Sequence, residues 1–419
     1  MKKYFFIAAH IVVLFAHTQT FTLINATIHK GNGEVIAKGA ISFKDGKITM
    51  VESNPTFKTD ETLGTIIDCS GKHIYPGLIA LNTILGLSEV EAVRATNDQY
   101  EVGTFNPNVR SIIAYNTDSK VIPTLRTNGI TQAQIVPQGG RISGSSSIVN
   151  LYGWNWEDAA AKIDDGIWMS WIPRYIKKGW WGDPQGFEPN KNYDKEWQEL
   201  KEFFEEARSY SLVEKHEKIN LRFESMRGVF QGTKNLYIRA SDVNEMLSAI
   251  TFAENFGIKP VLVGAEESWR IAEVLSKKNI SVILHRVHQL PYREDDDIHQ
   301  PYKTPLILQH AGVKFALSVP GFWQVRNLPF SAGTAVAFGL EKEQALASIT
   351  KNAAEICRIN NTGQLQVGYT ANVIVSEGDL FDMRTSKITH VFIKGQPMDI
   401  GNKQTELYEK YKDKYGISE

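Results

Sequence analysis

The densest group of chemically able side chains lies between residues 285 and 299: His285, His288, Glu294, Asp295, Asp296, Asp297 and His299. Imidazoles and carboxylates bind transition metals and move protons near neutral pH. The group follows an apolar run, so it sits on a loop where the spacing of His285 and His288 does not fix a shared face. One reading is a divalent-metal set of His285, His288 and His299. The plainer one is a charged loop with one or two structural histidines. A second stretch, Gly139 to Ser147, is rich in Gly and Ser. Its backbone N–H groups and hydroxyls, centred on Gly144, Ser145 and Ser146, suit a bound anion. A mobile surface loop is the alternative. No Lys follows the last Gly, so a nucleotide phosphate loop is not supported. Arg239 ends another apolar run and offers a fixed cation to a substrate carboxylate. Pairing with Asp242 or a nearby Glu is its structural alternative. Glu89, Glu91 and Asp98 are acidic candidates for proton transfer, or solvated charges.

The elements that position these residues read as alternating strands and helices. Leu236–Ile238, Pro260–Val263, Ile280–Leu284 and Val313–Leu317 are short apolar runs, as buried parallel strands are. Between them, Val243, Met246, Leu247, Ile250, Ala253 and Phe256 share one helical face. Repeated βα units predict a (β/α)8 barrel, with a doubly wound sheet as the alternative. No Gly-rich dinucleotide fingerprint follows the first strand. Strand-like segments at both ends, including a hairpin at Asp45-Gly46, predict a small composite β-sandwich from 21–75 and 365–419, beside a barrel at 76–364. Seven tryptophans between Trp154 and Trp197, followed by a charged amphipathic helix near Lys195–Lys218, read as an insertion at about 152–220. Clustered aromatics of this kind pack a core or wall a pocket.

Composition excludes several classes. The 419 residues carry 46 basic and 47 acidic side chains, a net charge of -1, which gives no footprint for nucleic acid. Lys2 and Lys3, an apolar run from Tyr4 to Ala16, and Ala16-His17-Thr18 read as a signal peptide over 1–20. The expectation is a periplasmic or secreted protein with no membrane span after signal removal. Cys69 and Cys357 read as two buried free thiols rather than a disulfide.

Several stretches together resemble the amidohydrolase superfamily, and within it the imidazolonepropionase-like amidohydrolases. Tyr75-Pro76-Gly77-Leu78-Ile79 is similar to the entry into that family's first barrel strand. Gly312 to Ser318, Arg326 to Pro329, Ala335 to Leu340, Asn352 to Glu355 and Ala371 to Val375 resemble its last strand, the following helices and the return to the small domain. The resemblance implies a distorted TIM-like barrel and a hydrolase of carbon–nitrogen bonds other than ordinary peptide bonds. It also implies a divalent metal at the C-terminal mouth, held by a His-x-His pair, two further His and an Asp, which lowers the pKa of bound water. In this chain Asn82 and Ile84 fall at the His-x-His positions, Arg239 and Gly264 at the two middle His positions, and Val319 near the Asp position. Asn is a poor transition-metal ligand and the others are none. The expectation is therefore a degenerate metal site with no resident cofactor, unless Zn or another divalent ion uses the 285–299 loop. Two functions follow: a hydrolase working through unusual residues, or a non-catalytic barrel that binds a small molecule or supports an active paralogue. A homo-oligomer is compatible with either.

Overall fold

Apolar residues recur along the first strands, and the chain turns sharply wherever Gly or Asn permits a positive φ. The computed structural model describes Thr20–Ser53, Leu63–Trp180 and Asp183–Ile417, so all but the last residue of the expected signal peptide lies outside the described residues. The N-terminal strands are Phe21–His29 (β1), Val35–Lys44 (β2), Lys47–Ser53 (β3), Thr65–Asp68 (β4) and Lys72–Pro76 (β5). Asp45 (φ 50°) and Gly46 (φ 75°) form the predicted tight turn between β2 and β3. Two positive φ values match the twist of the flanking strands. β1 pairs antiparallel with β2 and parallel with β4 and β5.

The barrel begins at Gly77, where a Cβ would sit 2.2 Å from the Thr131 hydroxyl. Its strands are Leu78–Thr83 (β6), Ile130–Ile135 (β7), Ile142–Asn150 (β8) and Ala160–Ser170 (β9). A small hairpin, Tyr175–Trp180 (β10) with Asp183–Pro189 (β11), leads towards Asn235–Ala240 (β12), Val261–Gly264 (β13), Ser281–Leu284 (β14) and Phe315–Leu317 (β15). The sheet order is β6-β7-β8-β9-β12-β13-β14-β15. Every neighbouring pair is parallel except those of β8, which runs antiparallel between β7 and β9. The sheet nearly closes. Ile84 N–H donates to the Gly321 carbonyl at 3.0 Å, and Ile79 N–H to Ile349 at 2.9 Å.

Alternation along the strands sorts the side chains. Ile79, Leu81, Trp168, Tyr237, Val263, Ile283 and Ala316 fill the lumen, while Ala80, Met169, Ile238, Leu262 and Leu317 join the large cluster under the helices. The helix Lys351–Ile356 plugs the N-terminal end with Ala353, Ala354, Ile356 and Cys357. The helix Val243–Asn255 is capped by Asp242, whose carboxylate accepts from Glu245 N–H at 2.9 Å, and Gly257 (φ 71°) turns the chain after it.

The chain returns through Val373–Glu377 (β16), Lys387–Ile393 (β17) and Gln396–Pro397 (β18). β16 pairs antiparallel with β5, so both ends of the chain share one branched eight-stranded sheet, as expected. A second sheet facing it, as a sandwich requires, is not among the described strands. Phe21, Phe43 and Phe392 pack its core with ring centroids 4.9–5.6 Å apart. Cys69 and Cys357 are both buried and unpaired. Among the described residues no helix is long and apolar enough to cross a membrane.

Two expectations need correction. From Ile142 onward the Gly/Ser-rich stretch is not a mobile loop: it is β8, with Ser143 to Ser147 all buried, and only Gly139 to Arg141 form a bend before it. The tryptophans do not form one insertion. Trp168 lies in barrel strand β9 with no exposure, while Trp171 and Trp197 pack edge-on against each other and against Phe252. The charged helix is Tyr193–Ser211, and a separate helix, Leu221–Phe230, follows it.

Candidate functional site at the barrel mouth

All the barrel strands but β8 run parallel, so their C-terminal ends converge on one mouth. A column of side chains rises to it through the lumen. Asp165 lies at its base, fully buried. It accepts from the Ser146 hydroxyl at 2.6 Å, the Tyr237 hydroxyl at 2.6 Å and the Gln134 amide at 3.0 Å. Burial nevertheless pushes its carboxyl above the usual range, against the pull of these hydrogen bonds and Lys162. The Trp168 indole N–H donates to Ser146 at 2.7 Å, and its ring stacks on Tyr237 at 4.7 Å. Above Trp168 sits Arg239, its guanidinium 4.7 Å from the ring centroid. Arg239 makes a single long hydrogen bond, to the Pro137 carbonyl at 3.4 Å. Among the described residues it has no carboxylate partner. Asp242 is spent on capping its helix. Burial lowers Arg239 to about 10, partly countered by Tyr100, so it stays charged at neutral pH.

A second group gathers at the ends of β13 and β14. His285 Nδ1 lies 2.8 Å from Glu266 Oε1. A carboxylate can only accept, so Nδ1 carries a proton, and in the neutral ring Nε2 is the nitrogen that presents a lone pair. Nε2 has no partner among the described residues. Burial pushes the Glu266 carboxyl up, but the hydrogen bond and charge of His285, with the Ser241 hydroxyl, outweigh it and hold the group below its ordinary value. Glu266 Oε2 is buried with no hydrogen bond. Gly264 makes room for the pair. Its φ is +87°, and a Cβ there would meet Glu266 Oε2 at 3.2 Å and His285 Cε1 at 3.6 Å. The pair opens on a small cavity of about 20 Å³, room for about one water, that Trp269, Tyr292, Gln300 and Thr304 also line.

The remaining residues singled out from sequence are scattered. His288 bonds to the Thr334 hydroxyl at 2.6 Å, and His299 lies 3.7 Å from Asp297 at the start of the helix Gln300–His310. His285, His288 and His299 thus have three different partners. Asp296 pairs with Arg270 and Asp297 with Lys303, which makes the acidic run a braced loop. Glu89 accepts from Asn116 and Ser119. Glu91 is exposed, and Asp98 lines a surface cleft beside Tyr100 and Arg110. Ser145 donates to the Pro107 carbonyl and Gly144 packs against Val109, so neither offers an anion loop. Sequence reasoning missed Glu266 and Asp165. The only signal for Glu266 was an acidic doublet, Glu266-Glu267, two residues beyond a buried strand. Its neighbour Glu267 is fully buried and braced by Arg270 and Arg293.

A divalent ion at this mouth would need three or four donors on one point. Asn82, the last residue but one of β6, has φ 57°, and its side-chain amide has no hydrogen-bond partner among the described residues. Ile84 and Val319 are buried in the large apolar cluster. Arg239 repels a cation, and Gly264 has no side chain. Among the described residues no group of three or more His, Cys, Asp or Glu is placed to hold an ion. The residues present do not fit the metal that the fold implies.

Comparison with known proteins agrees with the geometry of the barrel. The model of the amidohydrolase family matches residues 244–398, from the first helix after β12 to the end of β18. The chain is 33% identical over 111 residues to Amidohydrolase tasK of Hapsidospora irregularis, a match that covers 24% of this chain and 11% of that protein. An amidohydrolase structure from Thermotoga maritima superposes with a TM-score of 0.75 at 22% identity, covering 90% of this chain and 99% of that one. Ochratoxinase of A. niger superposes with a TM-score of 0.52 at 15% identity, covering 91% and 95%. Joined to the nearly closed barrel and the shared terminal sheet, these matches give the chain an amidohydrolase-like fold, with residues 244–398 similar to the amidohydrolase family itself.

Proposed function

We propose that this protein is an exported hydrolase of carbon–nitrogen bonds other than ordinary peptide bonds, of the imidazolonepropionase-like group, with the superfamily's metal site degenerate. The observation that carries the reading is the His285–Glu266 pair, 2.8 Å apart beside a cavity at the barrel mouth. A carboxylate that holds Nδ1–H fixes the tautomer and turns Nε2 into a base. Nε2 takes a proton from water as the water oxygen attacks the carbonyl carbon. The imidazolium then returns that proton to the departing nitrogen as the carbon–nitrogen bond breaks. Glu266 stabilises the imidazolium between the two transfers. Asn82 on β6 and Arg239 on β12 serve as contacts for the substrate. Ser146 acts from within the lumen, not on the substrate.

The test is turnover of a panel of N-acyl amino acids, lactams and cyclic imides by chelator-treated protein. The reading expects at least one substrate, with kcat reduced about 100-fold or more in His285→Gln, the usual contribution of a positioned base. No turnover of any panel member, or undiminished turnover in His285→Gln, sinks it and leaves a non-catalytic binding barrel.

A further inference from the structure

We propose that Arg239 and Trp168 form a carboxylate-binding floor at the barrel mouth, and that Asp165 and Ser146 beneath them position it. The proposal deepens the hydrolase reading by naming the substrate class as carboxylate-bearing, and it rests on that reading only for the word substrate.

The argument starts from Arg239. A guanidinium carries five N–H donors, and here one is engaged, at 3.4 Å, by the Pro137 carbonyl. Among the described residues no acidic side chain pairs with it. A half-buried cation without a counter-ion is costly to keep, and proteins offset that cost by pairing or by stacking. Stacking on Trp168 supplies part of the offset, and among the described residues only the Pro137 carbonyl takes a hydrogen bond from the guanidinium edge. That edge matches the two oxygens of a carboxylate, which a bidentate contact recognises.

The lower half of the column gives the floor its rigidity. Ser146 donates to Asp165 at 2.6 Å and receives the Trp168 N–H at 2.7 Å. The hydroxyl therefore has one hydrogen and one acceptor site committed in opposite directions. This fixes the indole plane, and the indole plane sets where the guanidinium lies. Asp165 and Ser146 touch no ligand; they act through Trp168.

The probe is propionate, followed by titration calorimetry and by the shift in unfolding temperature, with chloride at equal ionic strength as control. The wild-type protein should bind propionate saturably and chloride not at all. Arg239→Met should abolish the propionate response, and Arg239→Lys should weaken it. Ser146→Ala should weaken propionate binding about 5- to 10-fold, as loss of one hydrogen bond does. The same change made on top of Arg239→Lys, which keeps weak binding, should cost less than it does in the wild type, a coupling that a merely structural role would not produce. If Ser146→Ala fails to fold, Trp168→Phe, which deletes the N–H and keeps a ring, takes its place. Undiminished propionate binding in Arg239→Met, or an equal response to chloride, overturns the site. Unchanged affinity in Ser146→Ala overturns the positioning role. Binding needs no turnover, so His285→Gln should still bind propionate even if the hydrolase reading fails.

Discussion

Replacing Asp165 with Ala removes the acceptor of three hydrogen bonds inside the barrel, from Ser146, Tyr237 and Gln134. A hydrogen bond to a charged group contributes about 1.5–3 kcal/mol, and each donor stranded in the interior costs about 1–3 kcal/mol. Two effects reduce the sum. The Tyr237 hydroxyl can turn to Cys357 Sγ, 3.5 Å away. The buried carboxyl also bears a desolvation cost, seen in its raised pKa, and the variant is relieved of it. The expected net loss is about 3 kcal/mol, a large share of a typical stability of roughly 5–15 kcal/mol. Asp165→Asn keeps one acceptor oxygen and should lose about 1–2 kcal/mol. The pH dependence follows from the raised pKa. The native state holds this proton longer than the unfolded chain, whose carboxyl titrates near 3.8. The group's contribution is therefore full below that value and declines as pH rises towards the native one. Wild type should lose ground to Asp165→Asn as pH rises above 3.8 towards the raised native value. Equilibrium urea unfolding followed by tryptophan fluorescence reads both effects. A difference below about 1 kcal/mol for Asp165→Ala, or a gap to Asp165→Asn that widens with pH, would refute the reasoning.

Three further outcomes follow from the same geometry. Gly264→Ala should cost about 1–2 kcal/mol, because φ is +87° there and the methyl presses on Glu266 and His285; its kcat should fall more than its stability suggests, measured on the best panel substrate. His73, His288 and His390 are each held below the usual 6.5 mainly by burial, so their neutral rings support stability above that pH; this support should be lost as pH falls from 6.5 through their lower native values, seen as a falling urea midpoint. Cys69 and Cys357 should react with a thiol reagent only after unfolding, since burial pushes both thiols up, and a reducing agent should leave the unfolding temperature unchanged.

Much of the scaffold was legible because it obeys simple periodicities. The apolar runs Pro260–Val263 and Ile280–Leu284 became β13 and β14, and the face of Val243 to Phe256 became a capped helix. Asp45-Gly46 announced its hairpin by turn chemistry alone. β8 was hidden because Ser and Gly have low strand propensity; Ser146 is held there by long-range partners, Asp165 and Trp168, that no local window contains. β9 was hidden by the tryptophans before and after it, which suggested an insertion, although its own Trp168 points into the lumen. At the mouth, the strand-end residues were legible from spacing and resemblance. The His285–Glu266 pair was not, since its partners lie 19 residues apart and meet only when β13 and β14 align.

The most direct test of the account is the metal content of the purified protein after growth with added Zn, Mn and Fe, measured by mass spectrometry of the elements per mole of chain. The account predicts far less than one ion per chain, with no change in Asn82→Ala. A stoichiometric divalent ion that disappears in Asn82→Ala would contradict it.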